Sequence, residues 1–292
     1  MQVKCWKRAG LFFGIVLVGT ILGSAQPPLP FEPSHESGQS VTGAFEGWFQ
    51  NADGTYSILL GYFNRNNKQE LDIPVGPNNR IEPGGPDQGQ PVHFLPGRMW
   101  GIFTVTVPKT FGKNKLTWTL TANGQTTVIP MSLDPLWELS PFIEASGNTP
   151  PSIGFSEGGP SVQGPKPMST DTTTTMPDPV TLTVWVTDDA KSLAGGGGLR
   201  GGGLTPVSLS WSKFRGPGVV TFSNGRPRPE KVESKATPAS GFSGKATTTA
   251  TFSEPGEYIL RVVANDLSGD GGRGFQCCWT NAMVRVTVKP KP

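Results

Sequence analysis

The sequence predicts an all-β chain built from two β-sandwich-like domains. Three observations predict it. Short runs of alternating apolar and polar residues recur from residue 41 onward, and none of useful length has a helical period. Gly (39) and Pro (29) together fill about 23% of the 292 positions, nearly twice the usual ~12%. Those residues fall mainly between the runs, where turns belong.

The chain opens with Lys4, Lys7 and Arg8, then an apolar run over 11–22, then Gly23-Ser24-Ala25. A basic start, a short apolar stretch and small residues before a cleavage point spell a secretory signal peptide over 1–25. The apolar run is shorter than the ~20 residues a spanning helix needs, so no membrane span is expected in the mature chain. Cys5 would leave with the signal. The segment 1–25 carries three basic and no acidic residues, so its removal takes the net charge from +3 to zero. A neutral chain without a basic stripe argues against nucleic acid as a partner.

Residues 26–40 read as a Pro-rich lead-in and 41–143 as an N-terminal β domain. Strands are expected over 43–50 and 55–64, with Asp53-Gly54 between them as a type I′ hairpin signal. A short strand at 69–75 precedes a turn-rich stretch, 76–90. Two clear strands follow at 101–107 and 116–121. Leu116, Trp118 and Leu120 alternate with Thr117, Thr119 and Thr121 in the second, a half-buried pattern. Asn123-Gly124 marks another tight hairpin into 126–131.

Residues 144–178 read as a linker and irregular first edge, because Pro-Pro, Gly-Gly-Pro and a Thr run crowd together there. A sandwich is expected over 179–290. Leu182, Val184 and Val186 share one parity, as do Val207, Leu209 and Trp211. The same holds for Leu260, Val262 and Ala264, and for Val284, Val286 and Val288. Strands with one apolar face must bury it on a second sheet.

The stretch Phe252-Ser-Glu-Pro-Gly-Glu-Tyr-Ile-Leu-Arg-Val-Val-Ala-Asn-Asp266, with Leu209-Ser-Trp211 and Gly216-Pro-Gly218 upstream, resembles an Ig-like domain of the polycystic-kidney-disease (PKD) type or its bacterial relatives. The resemblance covers about residues 149–290 and implies an Ig-like sandwich, with Tyr258 as a tyrosine corner near the start of strand F. Leu260 stands where an antibody domain carries its Cys, so the core should close by apolar packing alone. The N-terminal half resembles β domains of uncharacterised exported bacterial proteins, on Leu60-Gly-Tyr-Phe-Asn-Arg65 and Ile73-Pro-Val-Gly-Pro77. That likeness implies no activity.

Catalytic and metal-binding residues are not expected. The two His, His35 and His93, have no Cys cluster near them. Gly196-Gly-Gly-Leu-Arg-Gly201 and Gly269-Asp-Gly-Gly-Arg-Gly274 satisfy the dinucleotide pattern, but no helix is expected after either. Calcium is the one cofactor left open: Asp266, Ser268 and Asp270 start like a calcium loop, although Cys277 stands at its twelfth position. Asp188-Asp189 lies at the same end of the sandwich or the opposite one.

The candidate binding loop is Cys277-Cys278-Trp279, which holds the only Cys of the mature chain. Adjacent Cα atoms lie ~3.8 Å apart if trans, closer than the ~4.4 Å lower limit of ordinary disulfides, so a bridge between them would be strained. A vicinal bridge, two partly buried thiols flanking Trp279, or an intermolecular bridge all fit. Trp185, on the Thr side of its strand, is the candidate surface aromatic; it either packs on the linker or first domain, or is exposed to stack on sugars. The expected function is a non-enzymatic exported bacterial protein, periplasmic or secreted. It would serve as an interaction or structural module of the cell envelope. Its partners would be a protein or polysaccharide of the envelope or extracellular space. The alternative is a carbohydrate-binding accessory protein that uses exposed Trp residues.

Overall fold

The computed structural model describes residues 35–144, 147–191, 205–233, 241–266 and 277–291. The expected signal peptide over 1–25 and both dinucleotide-like glycine patterns lie outside the described residues. The first strands are β1 (Val41–Gln50), β2 (Tyr56–Asn64), β3 (Leu71–Asp72), β4 (Asn79–Glu82) and β5 (His93–Phe94). They are followed by β6 (Gly97–Val107), β7 (Lys115–Ala122) and β8 (Gln125–Ser132). One three-stranded sheet runs β1-β2-β6, another runs β4-β7-β8, and β3 pairs with β5.

The two three-stranded sheets pack through aromatic side chains. Trp118 is fully buried and meets Phe103 edge-on at 5.2 Å. Gly43 permits this, because a Cβ there would sit 2.7 Å from the Trp118 ring. Trp118 Nε1 donates to Asn79 Oδ1 at 3.0 Å, and Asn79 Nδ2 donates to the carbonyls of Ile73 and Pro91. This saturated buried amide pins the stretch read as turns, and β4 inside it is a strand that the reading missed. The strand expected over 69–75 shortens to β3.

The two hairpin signals differ. Asn123 and Gly124 both have positive φ, 49° and 75°, and join the paired residues Ala122 and Gln125, as a type I′ turn requires. At Asp53-Gly54 only Gly54 is positive, at 82°. Asn51 N donates to the Thr55 carbonyl, and Asp53 Oδ1 accepts from Thr55 N. That expectation is corrected: the Asp side chain bonds the backbone two residues on and holds a wider loop.

The second half contains β9 (Ser152–Gly154), β10 (Ser161–Gln163), β11 (Met168–Thr175), β12 (Val180–Asp188) and β13 (Val207–Arg215). Then come β14 (Val220–Phe222), β15 (Glu230–Lys231), β16 (Phe242–Phe252), β17 (Gly256–Asp266) and β18 (Trp279–Lys289). One sheet has the order β10-β9-β12-β16-β14, with β15 also on β16. The facing sheet has the order β11-β18-β17-β13, with β11 parallel to β18. This is an Ig-like arrangement. The segment read as linker supplies three strands, and its Thr run is part of β11.

Leu182, Val184, Leu260, Val262, Val284 and Val286 fill the space between these sheets. Tyr258 closes one end. Its hydroxyl donates to the Glu254 carbonyl at 2.8 Å and accepts from Gly218 N at 3.0 Å. Its ring lies against Gly216, where a Cβ would collide. This is the tyrosine corner.

The outer face of β17 and β18 is covered too. Phe214 and Met283 belong to the core of the first half, and Val263 and Trp279 cluster with Leu59 of β2. Arg215 makes a two-pronged pair with Asp87, and Lys213 reaches Asp72 at 3.1 Å. The described residues thus belong to one compact unit.

Candidate functional site

Cys277 and Cys278 are joined to each other by a disulfide, with their Cα atoms 3.1 Å apart. Both are buried, and both sulfurs lie against the Asn148 carbonyl, at 4.0 and 3.5 Å. Trp279 is the first residue of β18 and 2% exposed. The candidate binding loop Cys277, Cys278 and Trp279 is therefore corrected to a buried segment that runs into a strand.

The reason lies in β6. A register shift in the β2–β6 pairing falls between Leu60 and Tyr62. Opposite it, Gly101 adopts φ 51°. A Cβ on Gly101 would meet the Trp279 ring, so only glycine leaves the indole its seat. The Gly101 carbonyl accepts from Trp279 Nε1 at 3.4 Å and from Asn281 Nδ2 at 2.7 Å.

Glu46 braces this seat at Gly101. It lies at a register shift of β1. Its Oε2 accepts from Gly101 N at 2.7 Å, and its Oε1 accepts from Arg98 Nη2 at 2.6 Å. Burial pushes its carboxyl above the usual range, against the opposing pull of Arg98. Arg98 also donates to the carbonyls of Tyr62 and Met99 and stacks 3.9 Å from the Trp100 ring. Arg261, on β17, donates twice to Asn281 Oδ1.

Beside this network a hollow of about 290 Å³ opens between the two halves. Its walls include Arg98, Trp100, Ser210, Ser212, Arg226 and Arg261. None of these is among the candidate site residues read from the sequence. The signals available were Arg98 beside Trp100 in a strand and the basic loop Arg226-Pro-Arg228.

Trp185 stands elsewhere, half-buried on the outer face of β12, opposite Leu182 and Val184. Lys245 Nζ lies 5.2 Å from its ring. It lines a shallow hollow of about 90 Å³ with Ser156, Glu157, Ser161 and Ser243. Trp185 thus packs beside the β9–β10 segment and shares no exposed patch with Trp279.

Asp188 and Asp266 come to the same end of the sandwich, and both are buried. Burial and the neighbouring carboxylates of Asp266 and Asp189 push Asp188 up to about 7. Its Oδ2 accepts from Ala190 N, and its Oδ1 has no hydrogen-bond partner among the described residues. No group of three or more His, Cys, Asp or Glu is disposed to hold a metal among the described residues. Ser268 and Asp270 of the calcium-like pattern lie outside them. His93 is buried with Nδ1 2.9 Å from Asp72 and Nε2 3.2 Å from Glu70, while His35 is exposed. Among the described residues, no helix is long and apolar enough to cross a membrane.

No protein-family model matches the chain, and no curated protein does. Solved structures overlap it loosely. Domains 4 and 5 of the S-layer protein SbsC are 11% identical, covering 86% of this chain and 98% of theirs, with a TM-score of 0.23. The cadherin-like domains 1 to 4 of zebrafish RET are 11% identical, covering 77% of this chain and 46% of theirs, with a TM-score of 0.26. A Porphyromonas gingivalis protein of unknown function is 10% identical, covering 85% of this chain and 100% of its own, with a TM-score of 0.23. Overlaps this loose carry neither fold nor function over to the chain. The Ig-like assignment rests on strand order and the tyrosine corner.

Proposed function

We propose that this chain is a non-enzymatic exported module of a bacterial envelope, one that docks or holds a partner. The carrying observation is the use made of its buried carboxylate at the junction. Glu46 is spent on Gly101 N and Arg98, so it fixes the joint between two sandwiches instead of facing a substrate. Such a joint keeps surfaces on both halves in fixed relation, which lowers the ordering cost of binding across them. The test is to fractionate the source cells and to assay the purified chain on a panel of glycosidic and peptide substrates. Retention with the envelope and no turnover are expected. Turnover, or a location in the cytoplasm, would overturn the reading.

A second reading, a carbohydrate-binding accessory role, is favoured by Trp185 beside its serine-lined hollow. Trp185→Ala should then abolish retention on a polysaccharide column without lowering the melting temperature.

A further inference from the structure

We infer that the hollow between the two halves is a binding site for an acidic glycan, a sugar chain bearing carboxylate or sulfate groups. The inference rests on the non-catalytic docking role proposed above and names the ligand class.

Charge is the first argument. Three guanidinium groups, of Arg98, Arg226 and Arg261, line the hollow, and no carboxylate does. Glu46 stands behind Arg98 and pairs with it. Arg226 is exposed and makes no ion pair among the described residues. The wall therefore carries surplus positive charge on a protein whose expected mature chain is neutral, and an anionic ligand complements it.

The polar floor decides between glycan and peptide. Ser210 and Ser212 are two apart on β13 and so share a face; both hydroxyls line the hollow and make no hydrogen bond among the described residues. Free hydroxyls both donate and accept, which matches sugar hydroxyls. An acidic peptide adding as a strand would need open backbone groups along the β13 edge. That edge is already engaged: Trp211 N donates to the Gly225 carbonyl at 2.8 Å, and Phe214 O accepts from Val92 N. Trp100 supplies a ring surface for a sugar face, with Arg98 fixed against it. The volume of about 290 Å³ lies near the ~300 Å³ lower bound of ligand clefts and suits one or two sugar rings of a longer chain.

The experiment titrates the full chain with a galacturonic acid oligomer, its neutral methyl ester and a heparin oligosaccharide, by calorimetry at moderate salt. At least one acidic oligomer should bind about tenfold more tightly than the ester. Arg226→Gln and Ser212→Ala should each weaken that binding several-fold, and both should melt with the parent protein. Trp100→Ala should weaken it about tenfold. Failure of both acidic oligomers to bind would overturn the inference. So would equal binding of the ester, unchanged binding by Arg226→Gln, or tighter binding of an oligoglutamate or a single-stranded DNA. These failures leave the docking role standing. Release of new reducing ends from a bound oligomer would instead overturn that role, because it would show catalysis.

Discussion

The two sheets of the Ig-like half differ on their outer faces. On the β12–β16 sheet that face holds Thr181, Thr183, Lys245 and Thr247, none of them buried. On the β17–β18 pair the corresponding residues are Arg261, Val263, Asn265, Trp279, Asn281 and Met283, and all are buried. One sheet meets solvent and the other carries the first half of the chain. Alternation along a strand thus reports the inner face reliably. What the outer face meets depends on the rest of the molecule.

Five substitutions break or sharpen this comparison. The largest effect is expected for Gly101→Val, which puts a branched side chain at positive φ against the Trp279 ring. It should cost about 4 kcal/mol or more in a denaturant melt. A cost like that of an exposed strand site would mean that β17 and β18 are not covered there.

Next is a matched pair. Leu260→Ala, on the inner face, should cost about 3 kcal/mol, and Val263→Ala, on the covered outer face, about 2 kcal/mol. Thr181→Ala, on the solvent face of the other sheet, should stay under about 0.5 kcal/mol. A Val263→Ala value as small as that of Thr181→Ala would remove the distinction between the sheets.

The last effect depends on pH. Asp188 has its folded pKa raised to about 7 from 3.8, so the folded state holds the proton more tightly. The stability that this group contributes is full below about pH 4 and is lost as pH rises through about 7. Asp188→Asn removes the charge and keeps an oxygen to accept from Ala190 N. It should leave stability unchanged at pH 4 and raise it by about 1–2 kcal/mol at pH 8. A gain that is the same at both pH values would show that the Asp188 carboxylate is not held at the low-dielectric end of the sandwich.

Much of the fold was legible in residues close together in the chain. Inward positions such as Leu182 and Val284, the Asn123-Gly124 turn and the Tyr258 corner each depend on local spacing. The missed features depend on distant partners. β4 exists because β7 pairs with it, Asn79 opposite Leu120, and nothing within 76–90 announces that. Trp279 looked like a loop aromatic because its seat, Gly101, lies 178 residues upstream. The odd parity of Ile259, Val263 and Met283 was a readable warning that a face expected to be polar was covered. Trp185 was placed on the correct face of β12, since alternation alone decides that.

The seat at Gly101 also bears on the order in which the protein can be assembled. During synthesis the first half is finished long before Trp279 and Asn281 emerge, so its docking surface around Leu59 and Gly101 stays open for most of translation. Contacts of such separation form slowly, after their loop-closure cost has been met, and exposed apolar surface invites association in the interval. Completion of the joint therefore waits on β18, which must insert between β11 and β17 at the same time as it caps the first half.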